Sequence, residues 1–284
     1  MEKEEKKGLW SVQISVFLFG VVGLFAKWIN QPSVIIVLGR VIFSALFLLA
    51  FLLIRRQKIR LKRRSDYFWM IGAGVILAVH WTSYMQAIQS STVAIGTLTF
   101  STFPLFAVFL EPLVFREKVK FSDVTGAIVM LLGVLVMVPE FEVGNSVTQG
   151  ILWGLLSAFT YAILGMMNRR FTQDYSAVQV SLYEQAVAAV VLFPTYFILR
   201  PELTVRDVGV IMMLGVIFTA VAHSLFINGL RTVKVRTAAI MSGLESVYGI
   251  LAAMLFLGEF PGPRDIVGGA IILGAVFYST LKSK

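Results

Sequence analysis

The sequence contains no cysteine, so disulfides and thiolate metal sites are excluded. It is also poor in charge: 14% of its 284 residues are charged, against about a quarter in an average soluble domain. That is too little polar surface to cover a water-soluble fold of this size. The apolar excess, 57% of the chain, needs a non-aqueous partner, and lipid is the obvious one. Enzyme signatures are missing too. There is no His-Glu-x-x-His pair, no Gly-x-Ser-x-Gly elbow, no Walker loop and no dinucleotide fingerprint. No long hydrophilic stretch offers room for a nucleotide-binding domain, so an ATP-driven pump is not expected. Neither are an enzyme, a cofactor or a metal site.

What the chain does have is long apolar runs. A bilayer core of about 30 Å needs roughly 20 apolar residues per helix. Runs of this kind lie near residues 9–28, 33–54, 67–88, 92–114, 124–139, 149–168, 176–199, 207–229, 236–257 and 265–281. The fifth and tenth are short. The first follows a charged start, but it is long for a signal peptide and no small-x-small site closes it, so a retained span is expected.

Net charge is +9, and its distribution decides what that means. With the N-terminus in the cytoplasm, inner segments hold 20 basic residues, seven of them between Arg55 and Arg64. Outer loops hold three, Arg200, Arg206 and Arg264. This is the asymmetry of a multi-pass protein of the cytoplasmic membrane with both termini inside, and not that of a nucleic-acid binder.

A shift of 142 residues brings Glu117, Asp123 and Gly126 onto Glu259, Asp265 and Gly268, and Gly133 onto Ala275. A slip of one more residue pairs Trp10 with Trp153. The chain therefore divides into two halves, 1–140 and 141–284, of five spans each. An odd number of spans makes the second half enter the membrane from the opposite face. Inverted repeats of this kind are a recurrent build of secondary transporters, with a site near the midplane. Gly126 and Gly133 share one helix face, as do Gly268 and Ala275, which suits close helix packing. The expected fold is all-α: ten transmembrane helices in two inverted five-helix repeats.

Ten spans, two halves and the glutamate-to-glycine pattern opening spans five and ten resemble the drug/metabolite transporter superfamily, in its EamA-type branch. The stretches Glu111-Pro112-Leu113-Val114-Phe115-Arg116-Glu117, Gly243-Leu244-Glu245-Ser246 and Leu257-Gly258-Glu259 are similar to that family as well. The resemblance implies alternating access through a central cavity lined by both halves, with spans five and ten peripheral. It implies no particular substrate, since members carry amino acids, sugars, purine derivatives, amines and drugs. A lipid-linked carrier or flippase, and an uncoupled facilitator or exchanger of amines or neutral solutes, stay open beside an ion-coupled carrier. The protein could act as a monomer or a homodimer.

Ionisable residues inside a span are costly and usually face a cavity or a partner. Those residues are Arg40, His80, Glu111, Glu184, His223 and Glu245. Lys27, at the end of span one, can snorkel to water. Arg40 lies seven residues into span two, roughly 10 Å deep at ~1.5 Å per residue. It could bind a substrate carboxylate or pair with a buried glutamate. Glu245, with Tyr248 one turn on, could neutralise an amine, carry a coupling proton or pair with Arg40. His80, Trp81 and Tyr84 form a polar-tipped aromatic face in span three, where His80 is a second candidate for a coupling proton. Glu184 occupies a place in the second half similar to that of Arg40. The candidate substrate contacts are thus Arg40, His80, Trp81, Tyr84, Glu184, Glu245 and Tyr248. Thr97, Thr99, Ser101 and Thr102 precede Pro104 and predict a hydroxyl-stabilised kink in span four.

Overall fold

A computed structural model describes residues 2–115, 121–140, 142, 144–229, 232–233 and 235–282. Arg116, Glu117, Lys118, Lys120, Arg231, Lys234 and Lys284 lie outside the described residues, as do the side chains of Lys3, Glu111, Asp123, Arg236 and Lys282. Among the described residues the protein is all helical, with no strand. In chain order the helices are α1 (Glu2–Trp28), α2 (Ser33–Ile54), α3 (Arg64–Ser90), α4 (Val93–Phe100) and α5 (Phe103–Phe115). They continue with α6 (Phe121–Met137), α7 (Ser146–Phe171), α8 (Ala177–Leu199) and α9 (Val205–Gly215). A π-helical segment, Val216–Val221, joins α9 to α10 (Ala222–Gly229), and α11 (Val235–Leu257) and α12 (Pro263–Lys282) complete the chain.

Helix is what lipid demands, because no water is present there to satisfy backbone N–H and C=O groups. Among the described residues seven helical stretches are long and apolar enough to cross a bilayer: Lys6–Trp28, Ser33–Ile54, Arg64–Ser90, Val93–Val114, Ser146–Phe171, Ala177–Leu199 and Val205–Gly229. Val124–Met137 and Met241–Leu257 are shorter apolar helices. Large apolar side chains project outwards along them, Ile54, Ile198 and Leu255 among the most exposed. In water such a surface would aggregate; against acyl chains it is solvated.

The expected kink in span four is a full break. α4 stops at Phe100 and α5 begins at Phe103, with Pro104 in its first turn, where a missing N–H costs little. The hydroxyls around the break hold carbonyls: Thr97 donates to Val93 (2.8 Å), Ser101 to Thr97 (3.1 Å) and Thr102 to Thr99 (2.7 Å).

Helices distant in sequence lie side by side. α3 runs along α7 and α8, α2 along α8 and α9, and α1 along α10 and α11. α6 and α12 pack on one another, and small residues make this possible. A Cβ on Gly268 would sit 2.6 Å from the Gly133 carbonyl oxygen, so a larger residue there forces the backbones apart.

Polar contacts tie both ends of the bundle. At one end Lys27 donates to the Ser91 carbonyl (2.6 Å) and pairs with Glu259 (3.6 Å), which also accepts from the Val93 N–H (3.0 Å). Lys27 is therefore tied to two other segments. At the opposite end Tyr175 donates to Asp66 (2.5 Å), Lys62 pairs with Asp174 (3.0 Å), and Tyr183 donates to the Ile59 carbonyl (3.1 Å).

Candidate functional site

Between these ends the bundle interior carries charge. Arg40 on α2 is 2% exposed, a position that needs a reason in a membrane protein. Its guanidinium lies over the Trp81 ring, 4.2 Å from the centroid, an arrangement worth on the order of 2 kcal/mol when desolvated. Its Nε donates to Thr219 Oγ1 at 2.9 Å. That is the one hydrogen bond it makes to the described residues, among which no carboxylate lies within 4.0 Å of it.

Thr219 reaches Arg40 because of two local features. A Cβ on Gly215 would stand 2.7 Å from the Arg40 carbonyl oxygen, so glycine there lets the backbone press against α2. The π-helical turn that follows widens the helix, and Thr219 donates across it to the Leu214 carbonyl (2.8 Å) while accepting from Arg40. Such π turns are frequently found at functional positions.

Tyr84 lies beside Glu245. Its hydroxyl donates to Glu245 Oε1 at 3.4 Å, and both groups are within electrostatic reach of Arg40. Among the described residues, Arg40 and Glu245 are thus near one another without direct contact. Around them stand aromatic rings from both halves of the chain. Phe100 packs edge-on against Tyr84 (5.3 Å) and Tyr161 (5.1 Å), and His80 lies against Phe100 (5.4 Å) and Tyr161 (5.1 Å). His80 Nδ1 lies 3.0 Å from the Ser157 carbonyl and 2.9 Å from its hydroxyl. The carbonyl can only accept, so Nδ1 carries the proton in that contact.

Arg40, Trp81, Tyr84 and Glu245 therefore form one group, with His80 behind it on the same helix. Two of the expected residues stand apart. Glu184 is fully buried and faces His223, Nε2 to Oε2 3.2 Å, and the His223 ring meets Trp81 edge-on. Tyr248 accepts a hydrogen bond from Gln13 and packs edge-on against Phe17 (5.5 Å), towards α1. The break in span four also touches the second half, with the Ser101 and Ser246 hydroxyls 2.6 Å apart and Ser246 donating to the Thr97 carbonyl (2.9 Å). Thr219, Phe100 and Tyr161 carry no sequence signal that separates them from ordinary lipid-facing or packing residues.

Where the described groups are outside the spans, charge acts as expected. The Asp174 carboxyl is held below its usual 3.8 by the hydrogen bond and charge of Lys62. Tyr175 is pushed above its ordinary 10.0, first by burial and then by donating to Asp66.

An apolar exterior, an all-helical frame and a buried arginine with a half-buried glutamate within electrostatic reach of it suit a membrane transport protein. The model of the EamA-like transporter family matches residues 6–138 and again 148–281, and the chain belongs to that family. It is 27% identical to an uncharacterized transporter of Archaeoglobus fulgidus over 94% of this chain and 93% of that one. An uncharacterized inner membrane transporter of Salmonella typhimurium, YicL, is 26% identical over 98% of this chain and 97% of its own. An S-adenosylmethionine uptake transporter of Rickettsia bellii is 25% identical over 97% and 95%. A solved crystal structure shares the fold at TM-score 0.70 and 16% identity, covering 97% of each chain. The protein is a multi-pass protein of the cell membrane.

Proposed function

We propose that this protein is a secondary transporter of a small zwitterionic metabolite, an amino acid or a compound carrying an amino-acid group, working by alternating access. Ten spans in two inverted halves, 1–140 and 141–284, with both termini cytoplasmic, provide the frame. Arg40 takes the substrate carboxylate, Glu245 its cationic group, and Trp81, Tyr84 and the rings beside His80 pack on the remainder.

The observation that carries this reading is the state of Arg40. It is deep and buried, and it rests on an aromatic face and one hydroxyl instead of a carboxylate. Burying an unpaired guanidinium is expensive, and a site that takes an anion during its cycle explains why it is kept. Glu245, within electrostatic reach of Arg40, offers the complementary charge. The relatives named as S-adenosylmethionine uptake transporters support the substrate class, since that compound joins an amino-acid head to a sulfonium cation and a purine. Aromatic faces suit the last two by cation–π attraction and stacking.

The test is uptake into proteoliposomes of S-adenosylmethionine and a panel of amino acids by the wild type, Arg40→Gln, Glu245→Gln and the double variant. The expected result is loss of uptake in each single variant with folding intact. If both singles merely unfold, and the double restores folding with full transport, the two residues are a structural pair and the assignment fails.

A further inference from the structure

The zwitterion site leaves a buried glutamate–histidine pair unused. Glu184 on α8 is 0% exposed and His223 on α10 is 9% exposed, with His223 Nε2 3.2 Å from Glu184 Oε2. Among the described residues Glu184 Oε1 has no hydrogen-bond partner, and neither do the nearby Ser181 hydroxyl and Gln185 Nε2. Gln185 is engaged on its other atom, accepting from Ser44. A packing role would favour a satisfied cluster, since each orphaned buried polar atom costs stability.

The pair is joined to the Arg40 group by a single side chain. Trp81 carries the Arg40 guanidinium on its face at 4.2 Å, and the His223 ring meets it edge-on at 5.9 Å. The charged and titratable groups that face the pair from neighbouring elements are Arg40 on α2 and His80 on α3. On α8 itself Tyr183 turns away to the Ile59 carbonyl. α1 also packs on α10, but it has no titratable residue between Lys7 and Lys27.

With one proton shared between them, Glu184 and His223 carry no net charge. The proton sits on the carboxyl with a neutral imidazole, or on the imidazole beside a carboxylate. Removing it leaves a lone carboxylate in the bundle interior. Adding a second leaves an imidazolium near Arg40. Either state is costly in a low-dielectric setting unless a charge nearby changes with it. A substrate anion arriving at Arg40 is such a change.

We infer that Glu184 and His223 form a proton-binding site, separate from the substrate contacts, whose occupancy is linked to the substrate site through Trp81. The linkage to transport rests on the function proposed above; the proton site itself does not. The first experiment is therefore free of substrate. Infrared difference spectra of the purified full-length protein are recorded across a pH series for wild type, Glu184→Gln, His223→Gln and Glu245→Gln. The expected result is a titrating carboxylic-acid carbonyl band that Glu184→Gln removes, that Glu245→Gln leaves in place, and whose midpoint His223→Gln displaces. Spectra of Glu184→Gln that superimpose on wild type overturn the inference. So does a midpoint unmoved by His223→Gln, which also decides the matter if Glu184→Gln does not fold. The second arm measures S-adenosylmethionine and amino-acid uptake in proteoliposomes with and without a pH gradient. Stimulation by the gradient is expected in wild type and absent in His223→Gln; a full response in that variant overturns the linkage. A titrating Glu184 in a protein that moves no compound of the panel leaves the proton site standing and sinks the substrate reading instead.

Discussion

At the scale of single residues, Arg40 shows how a buried charge is tolerated without an ion pair. Its planar guanidinium spreads over Trp81 and spends one N–H on Thr219. Lysine offers a compact, strongly hydrated charge that cannot stack in the same way. Arg40→Lys is accordingly expected to lower uptake by an order of magnitude or more while keeping the net charge, and initial-rate uptake checks this. Thr219→Val keeps the shape and removes the acceptor. It is expected to destabilise the protein by about 1–3 kcal/mol, since the buried guanidinium loses its partner. A thermal melt in detergent reads that loss, and Thr219→Ser should recover it. Depth and residue type alone pick out Arg40, His80, Trp81, Tyr84 and Glu245, because a polar-tipped or charged side chain in an apolar run is conspicuous. Thr219 and Tyr161 are illegible by the same logic. A threonine or tyrosine within a span is ordinary, and what distinguishes these two is a neighbour more than 75 residues away in the chain.

Among the helices, the legible and illegible features separate by cause. Hydrophobic runs mark where helices lie, and α2 falls on 33–54 as expected from its run. Pro104 and the hydroxyls before it announce a disturbance in span four, although a break and a kink have the same local signature. The π turn at Val216–Val221 has no such marker; it follows Gly215, where the backbone presses against α2, a contact the local sequence does not announce. Gly215→Leu is therefore expected to displace the turn, remove Thr219 from Arg40 and abolish uptake. Gly209→Leu, where nothing lies within 4 Å of an added Cβ, is the control that should leave uptake unchanged. The loop between α2 and α3 meets that between α7 and α8 through Lys62 and Asp174, both well exposed to water. Asp174 has a folded-state pKa below its free value of 3.8, so its contribution is present at neutral pH. It fades as pH falls through the carboxylate range. Melting temperature should thus drop on acidification partly through this pair, and Asp174→Asn should lose that part of the pH dependence. The effect is small, because the pair is screened.

For the whole molecule, the arrangement of the halves is the feature most worth testing. The family model matches twice, over 6–138 and 148–281, and helices from the two segments alternate in the bundle instead of forming separate lobes. Intimate mixing follows if the halves enter lipid from opposite faces, because each then offers helices that complete the other's polar interior. The charge count predicts which face is which: the seven basic residues from Arg55 to Arg64 and both termini inside, and the loop before α7 outside. The absence of cysteine makes this measurable with one probe at a time. Gln57 is exposed, and Gly144 has open space around an added Cβ, so cysteine at either position should not disturb the fold. Asn145 is a poorer choice, because its side chain caps α7 by accepting from the Val147 and Thr148 N–H groups. In intact cells a membrane-impermeant thiol reagent should label Gly144→Cys and spare Gln57→Cys, and permeabilisation should make both react. Labelling of Gln57→Cys from outside would reverse the orientation. Equal labelling of both before permeabilisation would mean an even number of crossings between residues 57 and 144. That would overturn the proposed five-plus-five inverted arrangement.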